Sequence, residues 1–538
     1  MAPRRIFLSS LTFKYALAIA VIAAGDWLFW QHKAFGSGLG AFAAILSLAA
    51  LVGRPAILRD RMALAAWAVS LVFAGALILD PSLIAWLLFG GSLGISILKP
   101  RTGAFDDAWK WFQRLAWQTA TSSVLPLLDL VRITGVTGKM RIKGRRSQSF
   151  SARSAMATLA LPLIGTATFL LLFADANPVI RSWFEGRVSV DDLSILRILL
   201  WGVLLLFTWN ALRPRLARTL IPSFDGTGDV RIPGVSIASV TLSLVMFNAL
   251  FALQNGMDVA WLWGLVPLPA DMNLAEYAHR GAYPLVATAL LAGLFVLVTL
   301  RPGSETAADR RIRWLVIAWV TQNILLVASS ALRTIDYVGA FSLTLLRIAA
   351  LEWMALVALG LGFILWRVLA GKSGPWLINV NAAALAVLLS IAAFVDHGAI
   401  VARWNASHAR EVGGKGVHLD LCYMRSLGSS ALLPLVELEA NPRVTTELRQ
   451  RVVATRIDLR RRMRLNERGG YWTLRSRDRA ARADALVGSR PLQRLVAGER
   501  DCFGRLLPPP PPPPSAPPLP SAPVIAKAPP PLTETTGR

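Results

Sequence analysis

Long apolar stretches between residues 11 and 394 constrain this chain more than any other feature of its sequence. Most contain no formal charge, and most approach the roughly 20 residues that a helix needs to cross the hydrocarbon core of a bilayer. Because that core offers no water to backbone amides, such stretches must be helical. The sequence therefore predicts an all-α, polytopic transmembrane bundle with about 11 spans: 11–30, 39–52, 62–79, 81–98, 155–173, 193–212, 235–253, 283–300, 314–332, 348–369 and 376–394.

Composition supports a membrane protein. Hydrophobic residues make up 54% of the 538 residues, and the mean hydropathy is +0.50. A soluble chain of this length could not bury so much apolar surface.

The first span lacks a small-residue cleavage site, so we interpret it as an anchor and not as a signal peptide. The stretch 39–52 is short, and a re-entrant hairpin with its neighbour is an alternative to a separate span.

Lysine and arginine are unevenly distributed among the predicted loops. The even-numbered loops hold several each, from Arg54, Arg59 and Arg61 in the second to Arg367 and Lys372 in the tenth, whereas the odd-numbered loops hold few. Positive residues in short loops remain on the cytoplasmic side. We therefore expect a bacterial inner-membrane protein with a cytoplasmic N-terminus and, after 11 spans, an extracytoplasmic C-terminus.

The net charge of +25 would suggest nucleic acid binding in a soluble chain. Here it is better explained by membrane topology and by contact of the basic cytoplasmic loop with anionic lipid headgroups, so the bilayer is the expected partner and nucleic acid is not. Within that loop, the segment 107–117 has an aromatic-rich side opposite Lys110 and Arg114, which predicts a helix lying in the membrane interface.

The predicted organisation has five parts. N-terminal transmembrane hairpins (1–98) precede a basic cytoplasmic loop with the interfacial helix (99–154), a core transmembrane domain (155–396) and an extracytoplasmic helical domain (397–506). The last part, 507–538, contains seven consecutive prolines at 508–514, which predicts a disordered tail. A plain spacer is the simpler interpretation of the tail, and the alternative is that tail and helical domain meet an envelope protein or cell-wall partner.

The chain has only two cysteines, Cys422 and Cys502, and both lie in the region predicted to be exported. That compartment permits a disulfide, but two separate thiols packed apart would fit the sequence as well. No Cys/His spacing suggests zinc, and no glycine-rich nucleotide motif occurs, so no cofactor or metal is expected. The match to G-x-S-x-G at 90–94 falls inside a span, where small residues favour close helix packing.

Polar residues at the predicted outer ends of the last five spans form a candidate site. They precede the span at 283, occupy the loop joining the next two spans, or end the final span, so topology places them at one membrane face. Their mixed charges can form ion pairs, and both a structural ion network and a ligand or partner site remain open. The candidate residues are Glu276, Tyr277, Arg280, Arg333, Asp336, Tyr337, Arg347 and Asp396.

Four segments resemble, in order, shared blocks of a bacterial integral-membrane family known only as a domain of unknown function, of the 4153/4173 type. These are "ANPVIRSWF" (176–184), "NLAEYAHRGAYPLV" (273–286), "LRTIDYVGAFSLTLLRIAALEWM" (332–354) and "HLDLCYMRSLGSSALLPL" (418–435). The resemblance covers about residues 155–490. It implies a membrane fold and supplies no reaction. The chain differs from the family pattern at Cys422, where a small residue is more usual.

Two classes of function fit these features. The first is a non-enzymatic envelope protein, either transport-like or a scaffold or sensor, and the polar residues Gln322, Asn323 and Glu352 within spans give it modest support. The second is a membrane-embedded transferase acting on a lipid-linked substrate. Acidic and histidine residues near the outer face, such as Asp258 and His397, are compatible with that alternative.

Overall fold

The structure is a computed structural model that describes residues 11–103, 105–122, 192–217, 220–222, 236–262, 291, 295, 305–489 and 495–508. Regular structure in these ranges is helical, apart from one isolated bridge between Arg500 and Leu506. The predicted all-α fold is thereby confirmed.

Nine of the predicted spans are helices in the structure, and seven of these are long and apolar enough to cross a membrane. The other two are the helices Gly38–Gly53 and Asp192–Leu212. The spans predicted at 155–173 and 283–300 lie outside the described residues, except that Leu291 and Phe295 are helical. The membrane helices are α1 (Leu11–Asp26, continued by a π-helical turn, Trp27–Gln31), α2 (Gly38–Gly53), α3 (Arg61–Leu79), α4 (Leu83–Thr102), α6 (Asp192–Leu212), α7 (Ile237–Leu262), α8 (Arg310–Phe341), α9 (Leu345–Ala370) and α10 (Gly374–Phe394).

Two helices extend well beyond their predicted bounds. Helix α8 contains 32 residues, because charged turns continue the apolar stretch 314–332 at both ends. Helix α7 continues to Leu262 and not to residue 253. The polar run after residue 253 resembles a loop in the sequence, yet it remains helical because its side chains bond to α8.

Side chains of the connecting turns cap many of these helices. The Asp60 carboxylate accepts hydrogen bonds from the backbone amides of Met62 and Ala63 at 2.9 and 3.1 Å. Such caps satisfy amides that the first helical turn leaves without partners. Equivalent caps are made by Ser82, Asp309, Thr344 and Ser373.

The membrane helices pack as two bundles. In the first, α1 to α4 and α6 enclose a core that includes Phe42 and Phe89. In the second, α7, α8 and α9 pack around Leu244 and Val316. Helix α10 belongs to both, because its Leu377 is part of the second core and its Ala393 is part of the first.

Close backbone contact fixes α2 against α3. A Cβ built on Gly40 would lie 2.6 Å from the carbonyl oxygen of Ala74 and would also overlap the backbone of Ile78. Only glycine fits there, as at many close helix contacts in membranes. In the predicted packing motif at 90–94, Gly94 lies against Leu115, while Gly90 and Gly91 face open space.

The ends of the helices lie at two opposite faces. At the face we call the basic face, Lys99 pairs with Asp60 at 3.2 Å, and the Arg101 guanidinium donates to the carbonyl oxygen of Pro214 at 2.6 Å. Helix α5 (Ala108–Ser122), which corresponds to the predicted interfacial helix, lies at this face. Its first amide donates to the Asn379 side chain near the start of α10, at 2.8 Å.

At the opposite face, the outer face, the chain continues into a C-terminal helical domain. Its helices are α11 (His397–His408), α12 (Leu421–Ser426), α13 (Leu432–Ala440), α14 (Thr446–Arg468) and α15 (Leu474–Gly488). The apolar positions that predict an amphipathic α14, including Leu448, Val452 and Leu459, are buried in the domain core. The tail beyond residue 508 lies outside the described residues.

Backbone bonds attach this domain to the first membrane bundle. The Ser37 amide donates to the carbonyl oxygen of Trp472 at 2.9 Å, and the Ser37 hydroxyl accepts from the Leu474 amide at 2.9 Å. Arg475 pairs with Asp80 at 3.3 Å. Loops 32–37 and 80–82 of the first bundle therefore lie on the same face as the C-terminal domain.

Candidate functional site

The C-terminal domain holds the loop that joins α8 to α9. Asn405 of α11 forms two hydrogen bonds with Leu343: its side-chain oxygen accepts from the Leu343 amide at 2.8 Å, and its side-chain nitrogen donates to the Leu343 carbonyl oxygen at 2.9 Å. The Tyr423 hydroxyl of α12 accepts from the Leu345 amide at 2.9 Å. We call the loop 342–344 with these partners the outer junction.

Ser342 is the strained residue of the outer junction. Its φ of 73° and ψ of 166° lie in a region occupied almost only by glycine. Such a conformation persists only where the surroundings hold it in place, and here Arg347 donates to the carbonyl oxygens of Phe341, at 3.1 Å, and of Ser342. On the C-terminal side of Ser342, the two Asn405 bonds hold Leu343 in place.

A solvent-open groove with a cavity volume of about 120 Å³ lies beside the outer junction, between the end of α8 and the C-terminal domain. The Trp404 and His408 rings stack along it with their centroids 3.8 Å apart. Exposed Lys415 and His418 also line it, and His418 lies 3.1 Å from Glu411.

Tyr337 and Arg347 of the predicted site are brought together. The Arg347 guanidinium carbon lies 4.2 Å from the Tyr337 ring centroid, which is a cation–π contact. Asp336, next to Tyr337 on α8, is exposed.

Asp396 joins the membrane helices to the C-terminal domain. Its carboxylate caps α11 by accepting from the Ala399 amide at 2.9 Å, accepts from the Ser430 hydroxyl at 3.1 Å and pairs with Arg479. Burial lowers the pKa of the Arg479 guanidinium, while Asp80 acts in the opposite direction. Next to it, His397 lies 2.7 Å from Glu352 of α9, which gives a second link between membrane helix and domain.

Arg333 lies elsewhere, in an ion pair between α8 and α7. Its partner is Asp258, and the side chains are 5% and 0% exposed. The described members of the predicted site therefore take part in separate contacts. Glu276, Tyr277 and Arg280 lie outside the described residues, so the shared eight-residue site stays a prediction.

The two cysteines are joined in the structure. Cys422 of α12 and Cys502, which follows α15, form a disulfide with a Cα–Cα distance of 4.8 Å. The bond ties the segment 495–508 to the helix whose Tyr423 holds the outer junction.

A line of polar side chains runs along the interface of α7 and α8. Asn248 donates to the carbonyl oxygen of Leu315 at 3.0 Å and accepts from Gln322 at 2.7 Å. About two turns further on, Asn255 donates to the Gln322 carbonyl oxygen at 3.1 Å, and Gln254 donates to Asp258 of the same helix at 2.9 Å. We call this set the polar row: Asn248, Gln254, Asn255 and Asp258 of α7, with Gln322, Asn323 and Arg333 of α8.

From Asn248 to Asp258 along α7, the bonded partners on α8 also move forward in the chain, from Leu315 to Arg333. Helices α7 and α8 therefore run parallel. This agrees with the prediction of one span between them, at 283–300. Arg313 is the last charged residue before the apolar stretch of α8. Gln322 is nine residues beyond it, about 14 Å along a helix, so a hydrocarbon core roughly 30 Å thick that begins at Arg313 has Gln322 near its middle. Arg333 is 20 residues beyond Arg313, about 30 Å along, near the outer boundary.

Three amide oxygens of the polar row are buried without a hydrogen-bond donor in the structure: those of Asn255, Gln322 and Asn323. A buried acceptor without a donor costs about 1–3 kcal/mol. Each residue uses its amide nitrogen, which fixes its position: Asn255 and Gln322 donate across the interface, and Asn323 donates to the carbonyl oxygen of Trp319 within α8. The row thus presents fixed, uncommitted carbonyl oxygens at mid-membrane depth.

Sequence reasoning names Gln322, Asn323 and Asp258 singly but does not connect them, and it misses Asn405 and Arg479 as partners. Asparagine next to tryptophan in an otherwise ordinary helix gives no signal for Asn405. For the row, a signal does exist, because Asn248 and Asn255 lie seven residues apart, which is helical spacing, on an apolar helix.

The fold and these polar contacts define an all-helical polytopic membrane protein with an attached helical domain. A family model described as "Domain of unknown function (DUF4153)" matches residues 61–438, and the chain belongs to this family. The matched region begins and ends earlier than the 155–490 expected from the sequence, and it includes α3 and α4. No curated protein matches the chain, and no solved structure does.

Replacing Asn405 tests the outer junction. Asn405→Ala leaves the Leu343 amide and carbonyl without partners, so we expect a loss of about 1–3 kcal/mol, seen as a melting temperature lowered by several degrees. Ser407→Ala, an exposed change on the same helix, is the control and should leave the melting temperature unchanged. Equal melting temperatures for both variants would show that Asn405 does not hold the junction.

Proposed function

We propose that this protein is a transport-like protein of the bacterial inner membrane, and that the polar row between α7 and α8 passes a small cation. The observation that carries the proposal is the set of uncommitted amide oxygens at mid-membrane depth. Polar groups in the membrane are costly and commonly line the paths of substrates and ions.

Amide oxygens suit a cation because they replace water ligands without adding a full charge. Asn255 and Gln322 supply two such oxygens from parallel helices that are in direct contact. At the outer end of the row, the Asp258 carboxylate adds a negative charge that attracts cations, and Arg333 limits that attraction. A site that binds moderately and is followed by a balanced charge pair permits release as well as entry.

The C-terminal domain supports a role in coupling. It holds the outer end of α8 through Asn405 and Tyr423, and it also bonds to the loops of the first bundle through Ser37 and Asp80. Rearrangement of the second bundle would therefore act on the domain, which an envelope protein or cell-wall partner could sense through the tail.

The proposal includes an orientation with the basic face in the cytoplasm. The asymmetry of lysine and arginine supports it. The disulfide supports it as well, because Cys422 and Cys502 lie in the domain at the opposite face, where an oxidising compartment would preserve the bond.

Ion flux tests the polar row. The full chain is reconstituted in liposomes, and uptake of Na⁺, K⁺ and H⁺ is followed with trapped fluorescent indicators. We expect flux of at least one cation above that of empty liposomes. Gln322→Leu and Asn255→Leu should lower that flux about fivefold or more, because each removes an amide oxygen worth about 1 kcal/mol or more to the ion.

The matched control is Thr321→Val, since Thr321 neighbours Gln322 but is exposed on α8. Its flux should equal that of the unmodified protein. The proposal is wrong if none of the three cations enters faster than in empty liposomes, or if Gln322→Leu and Thr321→Val give the same flux.

Reporter fusions test the orientation. A reporter active only in the periplasm and one active only in the cytoplasm are fused in turn after Arg505, at the outer face. We expect a signal from the periplasmic reporter alone, because the basic loops hold the opposite face in the cytoplasm. A signal from the cytoplasmic reporter alone would reverse the proposed orientation.

A further inference from the structure

Cationic side chains converge at the basic face, where the ends of α1, α2, α4 and α6 meet. Lys14 of α1 lies within electrostatic range of the three others. Arg54 directly follows α2, Arg101 is in the last turn of α4, and Arg213 directly follows α6. We call Lys14, Arg54, Arg101 and Arg213 the cationic cluster.

Backbone and apolar contacts hold these helix ends together. A Cβ built on Gly53 would lie 2.7 Å from the Leu212 side chain and 3.3 Å from that of Leu17. Arg101 also bonds to the carbonyl oxygen of Pro214, at 2.6 Å. The cationic cluster is therefore built on packed helix ends and not on a loose surface loop.

Arg54 is the buried member of the cationic cluster whose donors lack partners. Arg54 is only 8% exposed, and its side-chain Nε and Nη1 atoms are buried without a hydrogen-bond partner. Burial, followed by the nearby Arg101 charge, lowers the pKa of the Arg54 guanidinium to about 10, so it remains charged at neutral pH. This is a buried, charged group with donors that the described chain does not use.

No described carboxylate pairs with Lys14, Arg54 or Arg101. Asp60, the acid closest to Arg54 in sequence, pairs with Lys99 and caps α3. Buried charges are tolerated when they are paired and hydrogen-bonded. Like charges held this close also repel one another, so the cluster gains most from an anion that several of its members can contact at once.

We propose that the cationic cluster binds a phosphate group, with Arg54 donating to it from beneath and Lys14 and Arg101 balancing its charge. Guanidinium groups match phosphate oxygens in geometry and make strong, charge-assisted hydrogen bonds. The cluster lies at the membrane-surface ends of the helices, so the phosphate could belong to an anionic phospholipid or to a soluble phosphate compound. This site is separate from the polar row and does not depend on the proposed transport.

The test measures the melting temperature of the full chain in detergent micelles. One arm adds phosphatidylglycerol or, as the uncharged comparison, phosphatidylcholine. The other arm adds inorganic phosphate or chloride at matched ionic strength. The variant is Arg54→Gln, and the matched control is Arg59→Gln, which removes the same charge from an exposed residue of the same turn.

We expect phosphatidylglycerol, phosphate or both to raise the melting temperature of the unmodified protein and of Arg59→Gln equally. The increase should fall by more than half in Arg54→Gln. A response to phosphatidylglycerol alone identifies the lipid as the source, and a response to phosphate with no preference for phosphatidylglycerol identifies a soluble compound. Without either anion, Arg54→Gln should be no less stable than the unmodified protein, because it relieves the repulsion.

Arg101→Gln provides a second variant if Arg54→Gln does not fold, and its anion response should fall in the same way. The proposal is overturned if neither anion raises the melting temperature of the unmodified protein. It is also overturned if the variants of the cluster respond as strongly as Arg59→Gln.

Discussion

The lack of water in the hydrocarbon core is the constraint on which the rest of this structure depends, because polar groups there must find partners within the protein. Most do. Asp26, at the start of the π-helical turn, accepts two bonds from Arg197, at 2.8 and 2.6 Å, and one from Trp201. Ser47 and Ser70 bond to each other between α2 and α3 at 3.1 Å. Several buried polar atoms are exceptions, and our two proposals rest on two groups of them: the amide oxygens of the polar row and the buried Arg54 nitrogens.

The two membrane bundles are joined in only a few places within the described residues. Helix α10 contributes to both cores, and the C-terminal domain bonds to both at the outer face. The disulfide stiffens that domain beside the outer junction. A shift between the bundles would load α10 and the outer junction, and the strained Ser342 is a point where the junction can deform.

Much of this fold follows from local sequence. Apolar length predicts the spans, and apolar spacing predicts α14, because both depend on residues close together in the chain. The ends of α7 and α8 cannot be predicted from local sequence. Their polar residues stay helical because Asp258 of α7 pairs with Arg333 of α8, which is far away in the chain. The candidate site was predictable only in part. Tyr337 and Arg347 are ten residues apart in the chain and are in contact, whereas Arg479 and Asn405 are distant in sequence from the residues they hold.

The central claim is that water and ions reach the polar row at mid-membrane depth. The most direct test is the reaction of a membrane-impermeant, charged thiol reagent with Asn255→Cys, compared with Leu253→Cys, whose site is 62% exposed on the surface of α7 and would face lipid. The native cysteines are joined in a disulfide and do not interfere. The account predicts that Asn255→Cys reacts and Leu253→Cys does not. Protection of both positions, in a protein that remains folded, would contradict it.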